Sequence, residues 1–426
     1  TDLAAHSLRH RPGAVDQLVR DVLAGSGELA EVRDLLAAGP FTVVLGRGSV
    51  AEDPGSTVAA AAALLDAFDQ TTFLPALRRA NVHGALDAGL APGMLPGRVA
   101  LDEGRDWFEA AWGRVPDSRG HDAAGILAAA AAGEIDTLVL LGADPLADFP
   151  DADLAARGLA GARTVIAVDT FPNASVQGAD IVLPAAGFAE TDGTTTNLEG
   201  RLTPVNQKVT PPGTARPDWM IAAELAFRLG ADLGVADLDE IWAEMSTLAP
   251  ALEGVTLPEL TKALDGIVVG RAEPADEPEP SPAGDEAAAE DEGDGVAEPV
   301  TVAPATVAFD PPAYEAPAVD AYSLRLVTRR KLYDLGTQVQ QAPALAGLVA
   351  SPGLWANPAD LDRLGVGADD EVRVSSPKGS LTATVTPDAT VPEGTIAMVA
   401  GVGEPSPSVL IDATSAVTEV RVETIS

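Results

Sequence analysis

The chain has no cysteine, and among its 426 residues only 4% are aromatic and 27 are Lys or Arg, against 64 Asp or Glu. Each shortage excludes something. Without cysteine these residues cannot form a disulfide, a thiolate zinc site, a cysteine-ligated iron–sulfur cluster or a cysteine nucleophile. A formal net charge of −37 opposes the binding of nucleic acid, whose phosphates need a basic face, and of anionic lipid. The longest uncharged runs, Val58 to Leu65 and Ala123 to Gly133, are too short to span a bilayer. The start, Thr1-Asp2-Leu3, has neither an initial Met nor a basic and apolar leader. The expectation is a cytoplasmic fragment or processed product. No Gly-x-Ser-x-Gly elbow and no P-loop lysine motif occurs, so hydrolase and nucleotide triphosphatase readings have no anchor.

What is present is apolar and alanine-rich, with 46% hydrophobic residues and a length suited to two or three domains. Residues 1 to 35 read as helix, broken at Gly25 and Gly27, with a further helical turn from Leu29 to Ala38. Phe41 to Leu45 is a short β-prone run followed by Gly46-Arg-Gly48 and an alanine-rich helix from Ser56 to Phe68. The pattern recurs at Ile135 to Leu141, Thr164 to Val168 and Ala179 to Leu183, with helices at Ala123 to Ala132, Leu154 to Leu159 and Trp219 to Leu229. Strands alternating with helices predict an α/β domain whose parallel sheet is covered on both faces.

From Arg271 to Pro299 eleven acidic residues face one Arg among five prolines, and proline-rich sequence continues to about Val319. Such composition predicts a disordered linker. Beyond it, Tyr322 to Thr328, Glu371 to Ser375, Ser380 to Val385 and Thr395 to Val399 read as strands. Pro358 to Leu364 reads as a helix and Ser376 to Gly379 as a tight turn, so a small closed barrel is expected. The predicted organisation is a helical segment at 1–38, an α/β domain at 39–270, an acidic Pro-rich linker at 271–320 and a β-barrel at 321–426.

Ligands of open parallel sheets bind beyond the carboxyl ends of the strands, where glycine turns and helix N-termini present backbone N–H groups. Three loops occupy that place: Gly46 to Ser49, Gly142 to Leu146 and Asp169 to Asn173. Gly46 and Gly142 permit sharp turns and close approach to a phosphate. Asp144 and Asp169 are suited to a ribose or a purine amine, or else serve as ordinary turn and cap residues. His6 and His10 stand four apart on the expected first helix, a zinc-compatible spacing without a third ligand. Two long irregular segments, Arg79 to Gly97 and Val182 to Arg201, have the character of binding or docking loops.

These segments resemble the molybdopterin oxidoreductase superfamily. Val182-Leu-Pro through Thr195, Asn197, Glu199, Gly200 and Arg201 is similar to its "LP…E.dGT.tN.EGR" signature, and Asn81-Val82, Gly84-Ala85, Asp87 and Gly89 to its "NV.GA.D.G" loop. Trp355 to Gly365, Asp370 to Val374 and Pro377-Lys378-Gly379 resemble its dinucleotide-binding barrel. The resemblance implies a Rossmann-like α/β domain with a double-psi-like barrel, and Gly46, Gly142, Asp144, Asp169, Thr195, Asn197 and Lys378 as cofactor-binding positions that have become vestigial. Within the superfamily, Leu45 to Glu52, Asn81 to Gly97 and Gln207 to Trp219 look like the C-terminal part of the G subunits of proton-pumping NADH–quinone oxidoreductases. That likeness implies no catalytic residue, metal or cofactor in this chain, with iron–sulfur clusters in an N-terminal part. It implies partners among the other peripheral-arm subunits and a location at the cytoplasmic membrane through the complex, without insertion. The alternative it leaves open is a formate dehydrogenase-like enzyme binding a bis-pterin guanine dinucleotide.

Overall fold

The computed structural model describes residues 3–46, 48–270, 306–320 and 322–425. Residues 271–305, where most of the expected linker falls, and the first two residues of the expected first helix lie outside these. Helix α1 (Val15–Ala24) ends where Gly25 turns left-handed at φ +64°, and α2 (Leu29–Ala37) follows it. The stretch before α1 is not helical, so His6 and His10 do not share a helix face. Strand β1 (Phe41–Gly46), α3 (Gly55–Ala67) and β2 (Thr71–Ala76) form a parallel βαβ unit, with Phe41 paired to Thr71. The hydroxyl of Ser56 on α3 donates to the buried carboxylate of Asp16 at 3.0 Å, fastening α1 to this unit.

An irregular region follows: α4 (Val82–Asp87), the short antiparallel pair β3 (Met94–Leu95) and β4 (Val99–Ala100), and α5 (Leu101–Trp112). Asp122 caps α6 (Ala123–Ala131), which leads into β5 (Thr137–Leu141). Next come α7 (Pro145–Asp148), α8 (Ala152–Gly161), β6 (Thr164–Asp169), α9 (Ala174–Gln177) and β7 (Ile181–Pro184). Strands β5, β6 and β7 pair in that order, all parallel, as strands with helical crossovers should. The parallel pairing matches expectation, but the strands are divided into two small sheets. On β5 only alternate residues are buried: Leu138 and Leu140 face the helices, while Val139 and Leu141 stand more than half exposed. The expected cover on both faces is therefore missing here.

A hairpin of β8 (Gly193–Thr196) and β9 (Arg201–Val205), helices α10 (Asp218–Arg228), α11 (Leu238–Leu248) and α12 (Leu257–Lys262), and strand β10 (Ile267–Val268) complete the α/β part. A capping box between Thr256 and Glu259 starts α12.

The C-terminal part contains β11 (Leu324–Arg329), α13 (Thr337–Gln340), α14 (Pro343–Ala346), β12 (Leu354–Ala356), α15 (Pro358–Leu364), β13 (Glu371–Ser375), β14 (Ser380–Pro387), β15 (Thr395–Val399) and β16 (Glu419–Thr424). The strands close into a six-stranded barrel in the order β11-β15-β12-β14-β13-β16. Its core is aliphatic (Leu326, Leu354, Val372, Val374, Ile396 and Met398 are all buried), in keeping with the scarcity of aromatics.

Residues 306–320, expected as linker, instead pack as an extended strap. Thr306 bridges Val99, Val307 N–H donates to the Arg98 carbonyl at 2.8 Å, and the Tyr314 hydroxyl donates to the Gly13 carbonyl at 2.8 Å. Prolines 311, 312 and 317 fix φ and so lower the entropic cost of ordering this stretch. Arg325 on β11 gathers the ends: its buried guanidinium donates to the carbonyls of Pro12 (2.7 Å), Pro317 (2.8 Å) and Ala318 (3.0 Å). Replacing Arg325 with Leu leaves those carbonyls without a donor. The expected outcome is a loss of roughly 3 kcal/mol in denaturant unfolding, with new protease cleavage inside 306–320.

Candidate functional site

The two irregular segments singled out by their sequence meet each other. The Asn81 side chain precedes α4 and its Oδ1 accepts the Thr196 N–H of β8 at 2.9 Å. A Cβ at position 84 would collide with that same amide, which accounts for Gly84. Asp87 at the end of α4 is buried and takes Arg98 Nε at 2.6 Å, while its carbonyl accepts Gly97 N–H at 2.7 Å. Arg98 also reaches His83 Nδ1, at 3.3 Å. The loop is thus closed on itself by an ion pair. In the hairpin, Asn197 Oδ1 accepts the N–H groups of Glu199 (2.9 Å) and Arg201 (3.0 Å), and the Thr195 hydroxyl pairs across the strands with that of Thr203 at 3.0 Å. Thr195 and Asn197 both act within the hairpin.

The strand-end loops show the same inward use of polar groups. Gly46 ends β1 with open space around it. Just after it, Ser49 Oγ is buried against the Thr328 hydroxyl at 3.2 Å and accepts the Thr328 N–H at 3.0 Å, so this loop docks on the barrel. Gly142 adopts φ +56° and donates its N–H to the Val168 carbonyl at 2.8 Å. Asp144 is buried, accepting the Ser175 hydroxyl at 2.5 Å and the Ser175 N–H at 3.3 Å. Asp169 Oδ1 accepts the N–H of Thr170 at 2.6 Å, and Oδ2 the Asn173 amide at 2.9 Å. Burial, and then the charge of Asp169, raise the Asp218 carboxyl above its ordinary value.

Lys378 sits where the barrel meets α8. Its Nζ lies 2.8 Å from Asp151 Oδ2 and 3.9 Å from both Asp153 and Asp412. Asp151 is fully buried, caps α8 through the Leu154 N–H at 2.9 Å, and accepts Ala413 N–H at 3.3 Å. At Asp412 burial pulls the carboxyl upward, but hydrogen bonds from Thr414 and the charge of Lys378 outweigh it, and the net shift is downward.

Gly142 and Asp144 open on a cleft of about 880 Å³ between the α/β part and the barrel. The near wall includes Arg79, Asp148 and Phe149, and the far wall is Asp334 and Gly336 to Val339, between β11 and α13. Gly46, Asp169, Thr195, Asn197 and Lys378 do not line it. Arg79, with a left-handed φ of +84°, pairs with Asp148 at 3.3 Å, and Arg330 pairs with Asp334 at 3.1 Å. Arg78 lies close enough for burial, and then the like charges of Arg330 and Arg79, to lower its pKa despite Asp334. Sequence reasoning missed this arginine group and the 334–339 wall. The available signal was the doublets Arg78-Arg79 and Arg329-Arg330 in a chain with only 27 basic residues.

Two family models match the chain: molybdopterin oxidoreductase over residues 41–228 and molydopterin dinucleotide binding domain over residues 324–421. The chain belongs to the molybdopterin oxidoreductase family. The NADH-quinone oxidoreductase G 2 subunit of Rhizobium meliloti is 30% identical over 75% of this chain and 34% of its own length. F420-dependent formate dehydrogenase 2 subunit alpha of Methanococcus maripaludis is 30% identical over 74% of this chain and 45% of its own. NADPH-Fe(3+) oxidoreductase subunit alpha of Geobacter sulfurreducens is 34% identical over 44% and 22% respectively. The chain thus spans less than half the length of these relatives. Acetylene hydratase from Pelobacter acetylenicus shares the fold at TM-score 0.53 and 17% identity, over 89% of this chain and 56% of that one.

The family implies a pterin dinucleotide, and on family grounds the match to a dinucleotide-binding domain favours such a cofactor over none. Among the described residues the charged groups of the cleft's lining are Asp144, Asp148, Asp334 and Arg79, with Arg79 already paired with Asp148 and the neighbouring Arg330 with Asp334. A pyrophosphate bears two negative charges and would find in this lining no cation without a carboxylate partner. The residues present do not fit it.

Two outcomes follow. Replacing Lys378 with Met strands the buried Asp151 carboxylate and is expected to cost about 3–5 kcal/mol in denaturant unfolding. Because the Asp218 carboxyl is raised, its contribution to stability is present at acid pH and is lost as pH rises from the ordinary carboxylate range through the folded value. Replacing Asp169 with Asn removes one of the two causes and narrows that window, which a carboxyl NMR titration measures.

Proposed function

We propose that this chain is the molybdopterin-enzyme-like part of a G-type subunit of an NADH–quinone oxidoreductase. In this reading it scaffolds the peripheral electron-transfer arm and holds no electron carrier of its own. The observation that carries the reading is the acidic, internally paired lining of the interdomain cleft. The positions that a pterin enzyme would turn toward its cofactor are spent on the protein's own backbone and side chains: Asn197 on its hairpin, Asp169 on its turn and Lys378 on Asp151. Zero cysteine adds that no thiolate-held cluster resides in these residues. The partners would be other subunits of that arm. Among the described residues no helix is long and apolar enough to cross a membrane, so the membrane association would be indirect.

A formate dehydrogenase-like reading has specific support in the match to the Methanococcus maripaludis protein and in the size of the cleft. Elemental analysis for molybdenum and tungsten on the intact native subunit, with pterin fluorescence after acid oxidation, separates the two. Background levels of both are expected; stoichiometric metal and pterin would overturn the scaffold reading.

A further inference from the structure

A second hollow, remote in character from the interdomain cleft, lies among α5, α10, α11 and the 232–235 turn. It encloses about 530 Å³ and is walled chiefly by Phe108, Trp112, Trp219, Leu233 and Met245. Its origin is local. Two tryptophans on α5 bind α11: Trp107 Nε1 donates to the Leu248 carbonyl at 3.1 Å and Trp112 Nε1 to Glu244 Oε1 at 2.6 Å. These bonds hold α5 and α11 together, and Trp219 of α10 lines the same space, so large rings frame it instead of filling it. A core would close such a space, since a cavity of this size forfeits contacts on every side. The rim stays open instead. Leu233 is 53% exposed and Trp112 43% exposed. An open apolar hollow with large side chains exposed on its rim has the character of a protein contact surface more than of an enclosed small-molecule site.

The charges give the occupant its sign. The charged groups lining the hollow are two carboxylates, Asp232 and Glu244, and no Lys, Arg or His lines it among the described residues. Two tryptophan faces beside two carboxylates suit a cation that sits against a ring, and the apolar floor suits a large aliphatic or aromatic side chain. The chain's own acidic stretch from Arg271 to Pro299 has the wrong sign for this place.

We infer that this hollow is the docking site for a segment of a partner subunit that inserts a large apolar side chain next to an Arg or Lys. The inference rests on the scaffold reading and names the chemistry of one of its partners. It assigns the partner's cation to Glu244 and Asp232, and its apolar anchor to the space between Trp112, Trp219 and Met245.

The test uses the full subunit in its native complex, with a photo-crosslinking p-benzoylphenylalanine at position 233 and mass spectrometry of the products. The expected result is a crosslink to a peptide of another subunit in which Lys or Arg lies within about one helical turn of a large apolar residue. In the D232K variant, which leaves the Trp112–Glu244 bond in place, the crosslink yield should fall about fivefold, while D232N, which keeps shape without charge, should lose less. Equal unfolding midpoints for the three proteins show that the pocket still folds. Crosslinks only within the subunit, crosslinks to peptides lacking a basic residue, retention of a small organic molecule in the hollow, or a yield indifferent to charge reversal would each overturn the inference. The scaffold reading survives those results so long as the subunit stays in its complex without metal or pterin.

Discussion

A carboxylate removed from water must find a cation or several donors, and the joint between the two halves of this protein is built on that requirement. Asp151 is fully buried at the start of α8, where it caps the helix with one oxygen. Its other oxygen takes Lys378 and the Ala413 N–H from the C-terminal part. The Lys378 turn sits close to the 3₁₀ turn at Pro407–Val409, where a Cβ on Gly379 would press on the Val409 carbonyl. Moving the barrel relative to α8 would expose this charge pair or break it. Buried pairs of this kind contribute little net stability but penalise alternatives heavily, so their effect is on which arrangement is adopted. The docking of Ser49 on Thr328 and the gathering of the strap by Arg325 repeat the same logic with hydroxyl and guanidinium groups.

The same inward turning shapes what the interdomain cleft can do. In an acidic chain, cations are scarce and are drawn to the nearest carboxylate, so Arg79 and Arg330 are taken by Asp148 and Asp334 before any external anion arrives. The cleft's charges thus serve internal cohesion, and the side chains of Asn81, Asn197 and Asp169 hold the backbone of the loops around them in the same way.

Much of the fold was legible in the sequence because it rests on local signals. The apolar runs at Phe41, Thr164 and Thr395, the helix stop at Gly25 and the helix from Pro358 to Leu364 fall on or close to the observed boundaries. Strand β16 escaped notice because Glu419–Thr424 is half charged and gains its strand character only by closing the barrel against β11 and β13. The strap at 306–320 escaped for the opposite reason, since its composition reads as linker and only distant partners such as Gly13 and Arg325 order it. Of the site, the glycines and the turn aspartates were visible through spacing. Which of them share a cleft was not, because the far wall at 334–339 comes from a separate part of the chain. Nor could spacing show that Lys378 meets Asp151, a pairing that exists only across the joint.

The strap has one more consequence, for how the chain enters the barrel. Val269 is buried in the cluster around Leu252, and Thr306 pairs with Val99, so the chain on either side of residues 271–305 is fixed to the same half of the protein. From Thr306 the strap runs to the carbonyls of Pro317 and Ala318 that Arg325 holds on β11. The covalent path into the barrel is therefore anchored at both ends, and β11 starts from a fixed point and not from a free tether.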